Sequence, residues 1–221
     1  FQVTFISALF EAISGLTSTG FSTFKSIKYL DPTLILWRSS SQWIGGLFFL
    51  IFLILLFSNK TFNYKMTNLT FSGDSNFKSE ESIKNSILKI FIIYSFLSFF
   101  ILVLLSISEI RLFNSLNLAM TLISNGGFLP SDNLNEIINS NFQKIILALS
   151  LTFSLLNFYL IFNIFNKKIL VHQHKEDFYL LFLAFILIIL IYFNNFDGLN
   201  VIISVISSLA NSGITLLKTE N

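Results

Sequence analysis

The sequence predicts an all-α membrane protein built from repeated units, each with a spanning helix, a shorter half-membrane helix and a second spanning helix. Three observations predict this class. Of the 221 residues, 53% are hydrophobic and only 12% are charged, whereas soluble domains carry about 25% charged residues. Four apolar stretches are long enough to cross, or nearly cross, a bilayer. Three shorter stretches end in a polar residue followed by glycine.

The four predicted spans are residues 34–57, 87–107, 142–165 and 178–193. A helix needs about 20 apolar residues to cross the hydrocarbon core. The last stretch is the shortest and can span if the asparagines that follow it, Asn194 and Asn195, lie at the interface. The pair Asp31-Pro32 supplies an N-cap and a proline at the first helical position for the first span.

The three shorter segments are residues 5–20, 112–127 and 199–213. Each offers about four helical turns of mixed apolar and small residues, which is too short and too polar to cross a bilayer. Each then ends in Ser, Thr or Asn followed by Gly. The pattern predicts half-membrane helices that are followed by a turn.

The order of these segments predicts one unit, span, pore helix, span, repeated around a shared axis. The first unit lacks its opening span and the third lacks its closing span, so the chain is interpreted as an internal fragment. The predicted division is the end of repeat 1 (residues 1–57), a linker (58–85), repeat 2 (86–165), a linker (166–177) and the start of repeat 3 (178–221).

Lysines concentrate in the two linkers, with four at 60, 65, 78 and 84 and three at 167, 168 and 175. Basic residues in short loops mark the cytoplasmic side. The linkers are therefore predicted to be cytoplasmic in a multi-pass protein of the cell membrane, with every glycine turn toward the outside. The net charge of +2 and the scattered lysines do not indicate a nucleic-acid partner, and the absence of cysteine excludes thiolate chemistry.

The glycine turns predict a pathway for a monovalent cation. Irregular backbone at membrane depth is tolerated only where protein buries it or where it lines a water-filled cavity. Backbone carbonyls replace the water around a cation, and glycine permits the positive φ angles that turn successive carbonyls toward an axis. The carboxyl end of each short helix adds negative potential. The architecture is thus predicted to surround a central ion pathway.

The first turn shows the prediction in detail. Residues 5–16 would form the descending pore helix, and Thr17, Ser18, Thr19 and Gly20 the strand that returns with its carbonyls toward the ion. Phe21 would anchor that strand against the surrounding helices.

The stretch FEAISGLTSTGFSTF followed by WRSSSQWIGG resembles the first repeat of the Trk/Ktr/HKT family of potassium transporters. AMTLISNGGFLPSDN and SLANSGIT are similar to the second and third repeats, and HKEDF to the entry into the third. The resemblance implies four repeats around one filter. It implies as filter residues Thr17, Ser18, Thr19, Gly20, Asn125, Gly126, Gly127, Asn211, Ser212 and Gly213, with Ile214 in place of the usual phenylalanine.

The same resemblance implies potassium uptake without catalysis, with potassium as the substrate and no cofactor in this chain. It also implies a homodimer and a cytosolic nucleotide-binding regulatory subunit. In plant relatives a serine at the first filter glycine goes with sodium selectivity. Glycine at Gly20 and at the two matching positions therefore favours potassium.

Four further residues carry expectations. Glu11 is expected to have a structural role in which its carboxylate bonds backbone amides behind the filter, with tuning of the local field as the alternative. Arg38 is expected to reach the membrane interface, with neutralisation of charge in the pathway as the alternative. Gly45 and Gly46 are expected to permit close helix packing.

Three alternatives remain open from the sequence. A sodium-permeable member of the same family would share the pattern. A proton-translocating or redox-complex subunit would need Lys, Glu, Asp or His in mid-span, and here Arg38, Lys89 and Lys144 lie near span ends. A purely structural membrane subunit has no use for three re-entrant glycine turns.

Overall fold

In the computed structural model, residues 4–58, 80–156, 158, 161, 175–192 and 198–216 are described, and they form helices and connecting turns without a β-strand. The α-helices of this part of the chain are α1 (Phe5–Leu16), α2 (Pro32–Ser58), α3 (Glu80–Ile107), α4 (Leu112–Ile123), α5 (Asn141–Leu155), α6 (Lys175–Tyr192) and α7 (Gly198–Leu209), with a short 3₁₀ helix at Leu134–Glu136 before α5.

The described helices differ in length, and α5 and α6, with 15 and 18 residues, lie between the longest and the shortest. The long helices α2 and α3 have 27 and 28 residues, or about 40 Å at 1.5 Å per residue, enough to cross a hydrocarbon core of about 30 Å. The helices α1, α4 and α7 have 12 residues each, or about 18 Å. The prediction of half-membrane helices in these three segments is confirmed.

The third predicted span differs from the expectation. One unbroken helix over residues 142–165 is wrong, because α5 ends at Leu155 and Leu156 has extended backbone with φ −66° and ψ 143°. The Asn125 side-chain amide donates to the carbonyl of Ser154 at 3.2 Å and satisfies one acceptor freed at this helix end. Most of the remainder of that stretch lies outside the described residues.

The other boundaries are close to those predicted. The helix α6 begins at Lys175, within the HKEDF stretch, and ends at Tyr192; Asn194 and Asn195 lie outside the described residues. The helix α3 begins at Glu80, so six residues expected in the first linker are helical. The rest of both linkers, apart from the helix ends, also lies outside the described residues.

Local capping explains where several helices start. The Asp31 carboxylate accepts the Thr33 backbone N–H at 2.9 Å ahead of Pro32, so the predicted N-cap of α2 is confirmed. Thr4 caps α1 by accepting the Ser7 N–H at 3.3 Å. Ser140 and Gln143 form a reciprocal capping box at the start of α5.

Each long helix supports a half-membrane helix. The helix α1 packs on α2, α4 packs on both α2 and α3, and α7 packs on α5 and α6. The largest buried cluster joins α3, α4, α5 and α7 through Leu105, Leu118, Leu122, Leu147 and Ile203. The half-membrane helices are therefore held in place by packing against their longer neighbours.

The outer surface of the bundle is apolar. Phenylalanines on α2, α3 and α6 remain largely exposed, among them Phe48, Phe99 and Phe182. Among the described residues, Lys84–Ile107 meets the length and hydropathy expected of a membrane-crossing helix, with a mean hydropathy of 2.7, and α1 and α4–α7 contribute shorter apolar helices. An apolar exterior around a core with polar positions is the arrangement expected in lipid.

Asp132 joins the loops that follow the first two glycine turns. Its carboxylate accepts the Ser26 hydroxyl at 2.6 Å and the Ile27 backbone N–H. These hydrogen bonds hold the pKa of Asp132 below its usual range, since they favour the ionised carboxylate.

We therefore expect Asp132 to stabilise the fold most above the pKa of an unfolded aspartate, 3.8, and to lose that contribution as pH falls through its lower folded pKa. Thermal unfolding of wild type and Asp132→Asn in detergent, followed from pH 7 to pH 3, measures this. The wild type should unfold at the higher temperature near neutral pH, and the two curves should converge at the acid end. A difference that does not change with pH would show that the charge of Asp132 is not involved.

Candidate functional site

The three half-membrane helices end in the same way. One residue in each turn has a positive φ although it is not glycine: Ser18 (51°), Asn125 (53°) and Asn211 (56°). The following N–H reaches back five residues, as in the 3.0 Å bond from Thr19 to the Ser14 carbonyl. This is the Schellman arrangement of a helix carboxyl end, and asparagine is one of the residues that accepts the left-handed position.

A glycine follows two residues later in each turn, again with a positive φ. The angles are 80° at Gly20, 77° at Gly127 and 65° at Gly213. Glycine adopts this region without the steric penalty that a Cβ imposes. The same order of backbone conformations therefore occurs at all three positions that the sequence pattern selects. In each turn a left-handed residue is followed by one intermediate residue and then by a left-handed glycine.

The three turns, residues 17–20, 125–127 and 211–213, lie side by side in chain order. A Cβ built on Gly20 would overlap the carbonyl oxygen of Gly126, and one built on Gly127 would overlap that of Ser212. A Cβ built on Gly213 meets nothing within 4 Å among the described residues. The predicted site residues are thus brought together as an arc of three adjoining turns.

A cavity of about 980 Å³ opens at the carboxyl ends of the half-membrane helices. Its lining includes Thr17 and Ser18 of the first turn, Asn125 of the second and Asn211 of the third. The carboxyl end of a helix carries the negative end of its macrodipole, equivalent to roughly half an elementary charge. Three such ends at one cavity create a potential that favours a cation.

The turns are also supported from behind. The Gln42 side chain of α2 donates to the Gly126 carbonyl at 2.5 Å and accepts the Phe128 backbone N–H at 3.2 Å and the Thr121 hydroxyl at 2.7 Å. The Gly126 carbonyl therefore already has a protein partner. Sequence reasoning missed Gln42, although a glutamine inside a predicted span was the available signal.

Glu11 is buried, with 2% of its surface exposed. One carboxylate oxygen accepts the Thr23 backbone N–H at 2.6 Å and the Ser22 hydroxyl at 2.7 Å. The expectation that Glu11 bonds backbone amides behind the first turn is confirmed.

Arg38 was expected at the membrane interface, and that expectation is wrong. Its side chain is 1% exposed, its Nε donates to the second oxygen of Glu11 at 3.0 Å, and its guanidinium lies 4.0 Å from the Phe128 ring centre. The buried Glu11 carboxylate, and not water at the interface, is the partner of this charge. Removing one partner of such a pair typically costs about 3–5 kcal/mol, because the other charge stays buried.

The chain is similar to cation transporters over most of its length. It is 25% identical over 98% of its residues to an uncharacterized cation transporter of Methanocaldococcus jannaschii. It is 24% identical over 76% of its residues to the Trk system potassium uptake protein TrkG of Escherichia coli. It superimposes on the crystal structure of the potassium transporter TrkH from Vibrio parahaemolyticus with a TM-score of 0.74, covering 97% of this chain at 17% identity.

The chain is similar to Trk-type transporters in sequence and in fold.

The chain spans less than half the length of these relatives: 45% of the archaeal transporter, 35% of TrkG and 46% of TrkH. No model of a protein family matches it. The predicted all-α membrane fold is confirmed by the TrkH superposition, and the transporter relatives identify a membrane protein.

The residues that follow the glycines in the three turns differ in burial. Phe128 and Ile214 are 2% and 1% exposed, so each anchors its turn. Phe21 was expected to do the same, but it is 69% exposed, and the expectation is wrong for the described chain. The first turn is tied down instead through the Phe21 carbonyl, which accepts the Ser14 hydroxyl at 2.6 Å.

The two glycines of the Trk-like W-x-G-G stretch permit close packing, as expected. A Cβ built on Gly45 would overlap the Leu16 carbonyl oxygen at the end of α1. One built on Gly46 would lie 2.8 Å from the Tyr94 hydroxyl and 3.0 Å from the Ser124 Cβ. Both glycines therefore bring α2 against the ends of half-membrane helices.

Proposed function

We propose that the chain forms part of a potassium uptake pathway, in which the three turns are three walls of a cation-selective filter. The walls are Thr17, Ser18, Thr19 and Gly20; Asn125, Gly126 and Gly127; and Asn211, Ser212 and Gly213. Potassium is the transported substrate. The protein carries out no chemical reaction and requires no cofactor in this chain.

One observation carries the proposal: the same pair of left-handed residues occurs in three adjoining turns at the ends of three half-membrane helices. A single such turn is an ordinary helix cap. Three turns placed against one another beside a shared cavity bring backbone carbonyls and helix carboxyl ends into one region, which suits a dehydrated monovalent cation.

The choice of potassium rests on two further points. The relative TrkG is named as a potassium uptake protein. The three filter glycines are all retained, and the resemblance associates serine at the first of them with sodium selectivity. The sodium-permeable alternative makes the opposite prediction in a competition experiment.

The remaining parts of the proposal concern the whole protein. A fourth wall would come from a region outside this chain. We further propose a location in the cell membrane, with both lysine-bearing linkers on the cytoplasmic side, and a homodimer that works with a cytosolic nucleotide-binding regulatory subunit.

The complete reading frame in a cell without its own potassium uptake systems tests the function. We expect growth on potassium concentrations that do not support the host, together with rubidium uptake. Potassium should compete with rubidium about tenfold more strongly than sodium does, which corresponds to about 1.4 kcal/mol.

The regulatory subunit of the same organism should be co-expressed, and the amount of transporter in the membrane fraction measured. Equal competition by sodium would favour the sodium-permeable alternative. A transporter present in the membrane, with its subunit, that gives neither growth nor rubidium uptake would contradict the proposal.

A further inference from the structure

Two polar residues on one face of α2, Arg38 and Gln42, lie one turn apart, and each is linked to a different turn of the proposed filter. Arg38 is 1% exposed and Gln42 is completely buried. Gln42 holds the second turn directly, through Gly126 and Phe128. Arg38 reaches the first turn through an intermediary, the carboxylate of Glu11.

The connection from Arg38 to the first turn is continuous. The arginine Nε donates to one oxygen of Glu11, and the other oxygen accepts from Ser22 and Thr23. These residues stand two and three positions after Gly20. The Glu11 carboxylate therefore holds the segment that follows the first turn, and Arg38 holds the carboxylate.

Arg38 also contacts the second turn. Its guanidinium lies over the ring of Phe128, the residue that follows Gly127, at 4.0 Å from the ring centre. A guanidinium over an aromatic face in a desolvated site is an attractive and directional contact. One side chain thus bonds the support of the first turn and packs against the anchor of the second.

We propose that Glu11 and Arg38 are positioning residues that hold the first turn in register with the second and thereby set ion selectivity. This inference rests on the proposed function. The charge of Glu11 is directed at Arg38 and at the strand behind the turn, so it supports the filter backbone and does not bind the ion. A role limited to folding is the competing explanation.

Removing both charges separates the two explanations. The single variant Arg38→Met leaves a buried carboxylate without its partner, and we expect little protein in the membrane. The double variant Glu11→Gln/Arg38→Met has no buried charge, and we expect its amount to recover. The neutral amide does not hold Ser22 and Thr23 as the carboxylate does, since hydrogen bonds to charged groups are stronger.

The measurement is rubidium uptake per transporter, with potassium and sodium as competitors, in the complete protein. We expect the double variant to lose about tenfold in potassium-over-sodium preference, the scale set by a hydrogen bond to a charged group. Arg111→Met is the matched control, because Arg111 is exposed at the start of α4. It should match wild type in both amount and preference.

A double variant that is abundant and fully selective would overturn the inference and leave Glu11 and Arg38 a folding role. A double variant whose amount stays as low as that of Arg38→Met would also overturn it, because the two charges would then not act as a pair. Gly20→Ser, measured in parallel, separates this inference from the proposed function. If it alone changes the preference, only the inference fails; if neither variant changes it, the filter assignment fails as well.

Discussion

Replacing Gly20 with serine is expected to reduce rubidium uptake at least about tenfold and to abolish the preference for potassium over sodium. Gly20 has a φ of 80°, where a residue with a Cβ is strained. A Cβ at this position would also overlap the Gly126 carbonyl oxygen of the neighbouring turn. The substitution must therefore displace one of two adjoining walls, and both belong to the proposed filter.

The matched control for this substitution is Gly198→Ser. Gly198 is the first residue of α7, and a Cβ built there meets only ring carbons of Tyr192, the nearer at 3.2 Å. It should leave uptake and ion preference close to wild type, because the ring can shift and the backbone need not. If a well-expressed Gly20→Ser variant takes up rubidium with the wild-type rate and ion preference, the first turn is only a helix cap and not a wall of the filter.

We expect that replacing Gly45 with alanine strongly lowers the amount of folded protein in the membrane. A Cβ at Gly45 would overlap the Leu16 carbonyl oxygen, and the Leu16 carbonyl carbon would be only 2.7 Å away. Because this neighbour is backbone, no rotamer change relieves the overlap, and α2 or α1 must move. Overpacking of this kind typically costs about 1–3 kcal/mol, and more where backbone is involved.

Gly46→Ala is the graded comparison for that variant. Its nearest contact is the hydroxyl of Tyr94, at 2.8 Å, so a second substitution, Tyr94→Phe, should restore part of the folded protein. The same second substitution should not help Gly45→Ala. The amount of detergent-solubilised protein that elutes as a single species measures both effects, and recovery of Gly45→Ala by Tyr94→Phe would contradict the explanation.

The elements with a local signal could be predicted from the sequence. The start of α2 follows from Asp31-Pro32, whose capping bond joins residues two apart. The half-membrane helices and their turns follow from apolar segments that end in a polar residue and glycine, since positive φ is a property of the residue itself. Within the part of the chain that the structure describes, the three glycines with positive φ are the three that the pattern selects.

The support behind the turns could not be predicted in this way. Arg38 stands near the start of a span, a position typical of a side chain that reaches the interface, but its partner Glu11 is 27 positions earlier. Gln42 bonds Gly126 from 84 positions away. No local pattern encodes such partners, because they depend on which helices become neighbours.

The same distinction explains the other two differences. The end of α5 at Leu155 has neither proline nor glycine to mark it, and the Ser154 carbonyl is bonded by Asn125, 29 positions earlier in the turn after α4. Phe128 is buried and has the Arg38 guanidinium of α2 over its ring, whereas Phe21 is exposed, although both follow a glycine with positive φ. Sequence by itself determined the membrane class, the helix segments and the glycine turns, because hydropathy and backbone preference are local properties. Only the tertiary structure decided how the turns adjoin and which buried side chains hold them, since those contacts join helices far apart in the chain.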